Sequence, residues 1–457
     1  MKVIIILPIT GIILLYLGLL KSGKFLLPVA VAGLLTAGVA SVIDWGANVR
    51  LFTDMIYIDN YAVAFTSSMI MLTLFIFLLS NQYYRGVKFH VPEILALMIF
   101  ALTGAVLMVS FSNLAILFIG VETLSISLYI LAASKKISVT SNEASFKYYL
   151  TGSFASAIFL LGIALIYGST ASFNVMRIAA YVNEGQIVPF FYAGIVLVII
   201  GMAFKVAAIP FHFWTPDVYE GSPTLITLFM ATVVKTASFA AFLRLFAGCF
   251  SEVSDKWQLT IWTITAITLL VSNIAALNQS GIKRIMAYSS ISHTGFLMLG
   301  ILALNSFSAP AMLFYTFTYS LATTGVFGVL IIVKNARGDE GTIDSFTGLN
   351  KANRLLAFII TVSLISLAGI PLTAGFFAKY MVFVAAIKSN FLWIVIIAII
   401  SALISIYYYF RIIVAVYSRE GAQPVLKTDP AFKTTLVICL TIIIILGIFP
   451  SLGILNI

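Results

Sequence analysis

The chain has 457 residues, of which 61% are hydrophobic and only 9% charged, with a mean hydropathy of +1.11. Soluble domains carry about 25% charged residues, so this composition excludes an ordinary soluble protein and points to many helices embedded in a membrane. The net charge of +10 reads as membrane topology under the positive-inside rule, not as a nucleic-acid surface.

Apolar runs of about 20 residues recur along the whole length, which suits α-helices and not the ~9–11 alternating residues of a barrel strand. In chain order their cores are 3–20, 25–43, 62–80, 92–110, 114–133, 146–167, 188–209, 223–247, 258–277, 285–304, 310–333, 355–387 (interrupted), 391–417 and 431–455. That is an all-α polytopic protein of about fourteen spans. The first run, MKVIIILPITGIILLYLGLLKSGK, has the charge and apolarity of a signal peptide. It lacks a convincing small-residue cleavage site, and lysines follow it, so it is expected to be the first span with its N-terminus outside. In that orientation the inside loops hold Lys21, Lys24, Arg85, Lys88, Lys135, Lys136, Lys283, Arg284, Lys334, Arg337, Lys351, Arg354, Arg419 and Lys427. The outside loops hold only Arg50, Arg177, Lys256 and Lys388, and the 44–59 loop adds Asp44, Asp54 and Asp59. The asymmetry places both termini outside. The polar stretch 334–354 reads as a solvated inside connector.

Cys249 and Cys439 lie far apart, and neither they nor His90, His212 and His293 form a disulfide framework, iron–sulfur spacing, haem or zinc pattern. With no Gly-rich nucleotide loop either, the chain is expected to carry no metal, redox centre or cofactor of its own.

The chemistry is expected inside the spans. FKVAAIPFHFWTPDVYEGSPTLITLFMATVVKTASFAAFLR, residues 204–244, places Lys205 and Lys235 within apolar runs on either side of Pro210 and His212. A lysine at the bilayer centre costs ~2.5–3.5 kcal/mol on insertion scales, which calls for a reason. Protons relayed through the membrane supply one. AAIPFHFW at 207–214 and AGIPLTAGFF at 368–377 form a weak internal repeat, each with a proline in an apolar helix and a lysine nearby, Lys205 before Pro210 and Lys379 after Pro371. An odd number of spans separates the two, so the units enter the membrane in opposite orientation; paired broken helices of this kind point to an ion-handling site near the midplane.

Glu122 lies in the middle of LAILFIGVETLSISLYIL. It is either a carboxylate that holds two helices together or a titratable group that responds to the charge of a nearby lysine. Lys235 sits too deep to snorkel, whereas Lys147, near a helix start, is explained equally by snorkelling or by function. His212 and His293 suit a proton relay, or a hydrogen bond to a helix end. Ser289, Ser290, Ser292 and Thr294 around His293 can hold water or pack helices.

With these residues in place, the chain resembles the antiporter-like subunits of respiratory complex I and the related multisubunit cation/proton antiporters. Within that family it is most similar to the subunit N branch, the counterpart of mitochondrial NADH dehydrogenase subunit 2. The matching strings are FKVAAIPFHFWTPDVYEGSPT (204–224), TVVKTASFAAFLRLF (232–246), NIAALNQSGIKRIMAYSSISHTGFLMLG (273–300), EASFKYYLTGSFASAIFLLGIALIYGSTAS (143–172) and SLAGIPLTAGFFAKYMVF (366–383), with likeness over roughly 90–420. The resemblance implies two inverted five-helix repeats, spans 4–8 and 9–13, with discontinuous helices at spans 7 and 12. The chain would then divide into 1–90, 91–250, 251–420 and 421–457. It also implies a proton-translocating row in which Glu122 neighbours Lys205, Lys147 stands on span 6, Lys235 is central and Lys379 terminal. NADH, FMN, iron–sulfur clusters and quinone would be handled by other subunits of the complex, and the partners would be other membrane-arm subunits and the lipid bilayer. The setting would be a bacterial cytoplasmic (inner) membrane. The chain ends at Ile457, too soon for the long lateral helix of the larger sibling subunit, and is a little short at its N-terminus. A subunit of a cation/proton antiporter, or a non-transporting assembly subunit with relict charges, are the alternative readings.

Overall fold

The computed structural model describes residues 2–20, 23–85, 90–337, 341–418, 426 and 428–455. Lys21, Lys88, Arg419, Lys427 and Ile457 lie outside the described residues. Helix is the dominant form because lipid offers backbone N–H and C=O groups no partner, and a helix satisfies them within its own segment.

The N-terminal spans are α1 (Lys2–Leu19), α2 (Gly23–Ile43) and α3 (Asn60–Tyr83). A two-stranded antiparallel ribbon, β1 (Val49–Leu51) with β2 (Ile56–Ile58), fills the loop before α3, whose first turn is capped by Asp59. A first unit follows: α4 (Val91–Ser110), α5 (Leu114–Ala132), α6 (Val139–Thr170), the short amphipathic α7 (Val175–Asn183), α8 (Pro189–Lys205), α9 (Trp214–Gly221), α10 (Thr224–Phe229) and α11 (Lys235–Cys249). Five π-helical residues, Met230–Val234, join α10 to α11 in one continuous span. The second unit is α12 (Ser254–Leu277), α13 (Ile282–Ala303), α14 (Ser308–Arg337), α15 (Leu349–Ala352), α16 (Arg354–Ala368), α17 (Ala374–Lys388) and α18 (Leu392–Tyr417), and α19 (Pro430–Ile448) closes the chain.

Among the described residues, 12 helices are long and apolar enough to cross a membrane. The shorter α8 and α16 each run into a break and resume as α9 and α17, which brings the total to the expected span count of about fourteen. The differences lie at the ends. Span 6 begins at Val139, well before 146, because Ser138 caps it. Span 7 stops at Lys205 and not at 209, and the last span stops at Ile448, where Pro450 opens a 3₁₀ turn.

The two units share more than hydropathy. In each, the first helix packs along the second, α4 on α5 and α12 on α13. The third helix packs on both halves of the broken one, α6 on α8 and α9, α14 on α16 and α17. Each unit also closes with the same pair of main-chain hydrogen bonds. Leu114 N donates to Phe173 O (2.9 Å) and Val175 N to Ser112 O (3.0 Å); Ile282 N donates to Gly341 O (3.0 Å) and Ile343 N to Ser280 O (3.1 Å). The odd number of crossings between these pairs puts them on opposite membrane faces.

Both breaks end their first half-helix in a Schellman closure. Ala207 (φ 61°) and Gly369 (φ 82°) turn left-handed. Ala208 N then donates to Ala203 O (2.8 Å) and Ile370 N to Ile365 O (3.2 Å). Counted from the left-handed residue, the proline falls one position later in the first break than in the second, so the matching strings AAIP and AGIP are displaced by one residue from the matching geometry. The Ile209–Pro210 bond is cis.

Candidate functional site

Lys205 ends α8, where the C-terminal carbonyls and helix dipole favour a cation. Its Nζ donates to Ser125 Oγ on α5 at 2.5 Å, and Ser125 Oγ–H in turn donates to Val121 O. Glu122, less than one turn away on α5, is partly buried, and its Oε1 has no hydrogen-bond partner among the described residues. The carboxylate is near enough for its charge to act on Lys205. Among the described residues the two form no direct ion pair; Ser125 receives the ammonium.

Lys235 is the centre. It is 5% exposed and follows directly on the π-helical turn. Its Nζ donates to Ser290 O, to Ser290 Oγ at 2.5 Å and to Thr294 Oγ1 at 3.2 Å, and lies 5.3 Å from the centroid of the Tyr319 ring. All of these partners are neutral. Thr294 Oγ1 also donates to Val206 O at 2.6 Å, which ties the lysine to the first break.

On α13, His293 is 4% exposed and held from both sides, Nδ1 2.7 Å from Tyr315 Oη and Nε2 3.2 Å from Tyr409 Oη. Its ring centroid is 4.7 Å from that of Tyr319, the ring that faces Lys235. Beyond it, Lys379 is 6% exposed. It stands on α17 and reaches back to donate to Ala368 O, the end of α16, at 2.8 Å, with Phe296 4.7 Å below the ammonium. His212 is buried in the first break beside Phe213, and its Nδ1 has no partner among the described residues.

The structure therefore brings Glu122, Lys205, Lys235, His293 and Lys379 into one succession through both units, partly buried at Glu122 and Lys205 and buried from Lys235 onward, with His212 in the first break. Lys147 is not brought into it. Its side chain is 43% exposed and paired with Glu143 (2.8 Å) and Asp217 (2.7 Å). Asp217 also takes Arg284 (3.1 Å), which reaches Glu220 (2.8 Å). This is a surface ion cluster joining α6, α9 and α13, lining a cavity of about 310 Å³ with Lys283 and Lys334.

Sequence reasoning missed three features. Lys283 had the look of a loop charge, yet it is 7% exposed and donates to Glu220 O (3.0 Å) and Ser222 O (2.5 Å), capping the end of α9. The signal was available: the string that contains it, NIAALNQSGIKR, matched the family while the apolar run beside it began later. Asn273, in the same string, donates to Ser292 and Ser401 and accepts from Tyr408 within the second unit. Arg244, inside an apolar run, pairs with Asp59 at 3.0 Å and donates to Phe111 O, locking the first unit to the N-terminal spans. Among the described residues no cluster of His, Cys, Asp or Glu is arranged to hold a metal ion.

A family model described as NADH:quinone oxidoreductase/Mrp antiporter, transmembrane, matches residues 112–405. NADH-quinone oxidoreductase subunit N of Flavobacterium psychrophilum is 40% identical over 99% of this chain and 99% of its own. The protein of that name from Cytophaga hutchinsonii is 41% identical over 99% of this chain and 98% of its own. Among solved structures, a chain of respiratory complex I from Thermus thermophilus superposes with a TM-score of 0.85 at 31% identity, covering 99% of this chain and 98% of that one. The succession of buried lysines through two broken-helix units thus belongs to a chain of the NADH-quinone oxidoreductase subunit N family.

Proposed function

We propose that this chain is a membrane-arm subunit of a proton-translocating NADH-quinone oxidoreductase, and that Glu122, Lys205, Lys235, His293 and Lys379 carry protons through it, with His212 at the first break. The observation that carries the reading is Lys235, a lysine buried in the core whose every hydrogen-bond partner among the described residues is a neutral serine or threonine oxygen. A permanently charged structural lysine is usually met by a carboxylate; one met by hydroxyls is free to exist with or without its proton. Energy reaches it electrostatically. A change of charge on Glu122 alters the cost of an ammonium at Lys205, whose helix end is tied through Thr294 to Lys235. His293, between two tyrosine hydroxyls, gives the onward step to the Lys379 end.

In this reading residues 91–250 and 251–420 are the two inverted units, 1–90 the N-terminal spans and 421–457 the last span. Both termini face the outside of a bacterial cytoplasmic membrane. NADH, FMN, iron–sulfur clusters and quinone are handled by other subunits, and the lateral contacts are with neighbouring antiporter-like subunits. Lys147 serves from the surface ion cluster, not from the row. The names of the full-length relatives favour this assembly over a stand-alone antiporter.

The test is Lys235→Ala in membranes with matched complex content. NADH-driven proton pumping is expected to fall by at least about tenfold, since the variant removes a proton carrier without a substitute. Wild-type pumping in the assembled variant would overturn the assignment.

A further inference from the structure

The turn between α5 and α6 reads SKKISV, residues 134–139. Two lysines stand there beside Ile137 and Val139, which are 99% and 79% exposed. Cations next to outward-pointing apolar side chains suit the headgroup layer of a bilayer, where stems go down and charges stay up. Two cavities meet at this turn. One of about 910 Å³ runs between α4 and α6, and one of about 880 Å³ extends towards the end of α3; His90, Ile94, Ser134 and Lys136 line both. At the shared mouth Lys136 Nζ lies 3.4 Å from His90 Nε2. Among the described residues the one carboxylate lining either cavity is Glu93, 54% exposed and 3.8 Å from His90 Nδ1. Among the described residues neither Lys135 nor Lys136 is ion-paired, and the buried hydroxyl of Tyr84, at the far side of the recess, has no hydrogen-bond partner. Below the mouth the walls turn apolar, with Ile94 and Leu97 on α4 facing Phe146 and Tyr149 on α6.

We infer that this recess binds an anionic phospholipid, its phosphate held by Lys135, Lys136 and His90 and one acyl chain laid between α4 and α6. The cationic excess selects a negative headgroup, and the apolar groove beneath selects a molecule with a hydrocarbon tail over a free anion. A basic pocket between helices at a membrane face is a recurrent way of holding such lipids, and each lysine contributes a few-fold to the affinity. The lysines act as point charges and so tolerate variation in the headgroup beyond its phosphate.

The inference is tested on the intact complex, delipidated in detergent and labelled with phosphatidylglycerol bearing a photoreactive acyl chain. Crosslinks are expected within residues 91–97 and 146–149. Lys135→Gln combined with Lys136→Gln should lower the labelling on the order of tenfold, and Phe146→Trp, which fills the groove without changing charge, should lower it as well. Unlabelled phosphatidylglycerol should compete, while phosphatidylcholine and millimolar inorganic phosphate should not. Equal competition by phosphatidylcholine, or undiminished labelling in the double variant, overturns the headgroup assignment. Competition by inorganic phosphate makes this an anion site without a lipid. Absence of crosslinks at these segments, with label on a neighbouring subunit instead, means that protein fills the groove.

Discussion

The two breaks close with the same backbone turn but present their lysines from opposite sides of it. In the first, Lys205 belongs to the half-helix that ends, and its ammonium leaves for Ser125 on α5, beside the Glu122 carboxylate. In the second, Lys379 belongs to the half-helix that resumes, and its ammonium folds back to the last carbonyl of α16 with no carboxylate in reach among the described residues. Both solutions place a cation where carbonyls and helix dipole welcome it. The difference explains the residue at each turn. In the first break the lysine side chain leaves the turn for α5, and the left-handed position is an alanine. It is glycine in the second because a Cβ at 369 would lie 2.7 Å from Lys379 Cδ and 3.1 Å from its Nζ. Lys379 and Gly369 are one device.

The comparison breaks most visibly in turnover. Lys205→Met and Lys379→Met should each slow NADH-driven pumping on the order of tenfold or more at matched complex content. Their couplings to Glu122→Gln should differ. With Lys205→Met the double variant should be no worse than the poorer single one, because the pair works as a unit; with Lys379→Met the losses should multiply. Equal coupling energies in the two cycles would erase the distinction between the breaks.

A smaller effect is expected where the resumed half-helices pack against their neighbours, α17 on α16 and α9 on α6. A Cβ at Gly375 would stand 1.8 Å from Ser366 O, and one at Gly221 would stand 2.5 Å from Thr140 O. Backbone cannot step aside as a side chain can, so Gly375→Ala should destabilise the assembled complex by about 1–3 kcal/mol and Gly221→Ala by less. Thermal melting followed by native gel reads both; the reverse order would mean that the second break is the more pliable.

The smallest effects concern the turns themselves and carry opposite signs. Gly369→Ala should cost about 1–2 kcal/mol for the left-handed conformation and push Lys379 off Ala368 O, lowering pumping as well as melting temperature. Ala207→Gly should raise stability by less than about 1 kcal/mol, since relief of the turn is partly offset by a freer unfolded chain, and leave pumping unchanged. Loss of pumping in Ala207→Gly would show that the rigidity of the first turn matters to function.

The spans and both breaks were legible because hydropathy, lysines in apolar runs and prolines are local signals. What escaped notice depends on partners distant in sequence. Lys147 is drawn to the surface by Asp217, which no window around residue 147 contains, and Lys283 is buried by the end of α9, which no hydropathy profile places over it. Ser125 takes the ammonium in place of the expected direct contact of Glu122 with Lys205, because a hydroxyl about one turn along α5 lies closer to the ammonium than the carboxylate. The π-helical residues Met230–Val234 had no compositional signature at all: MATVV is as good a stretch of ordinary span as its neighbours.

That π segment has a consequence for sequence comparison and for engineering. A π turn fits one surplus residue into about the rotation of an ordinary α turn, so the faces on either side of it stay in phase. Deleting a single residue between Met230 and Val234 would let the span relax to a regular α-helix with no change in hydropathy. The face of α11 that carries Lys235 would then still meet Ser290 and Thr294, whereas a deletion with no π turn to absorb it would rotate that face by roughly a quarter-turn. A one-residue deletion here is therefore expected to leave a chain that inserts and assembles normally and keeps its central lysine in the row.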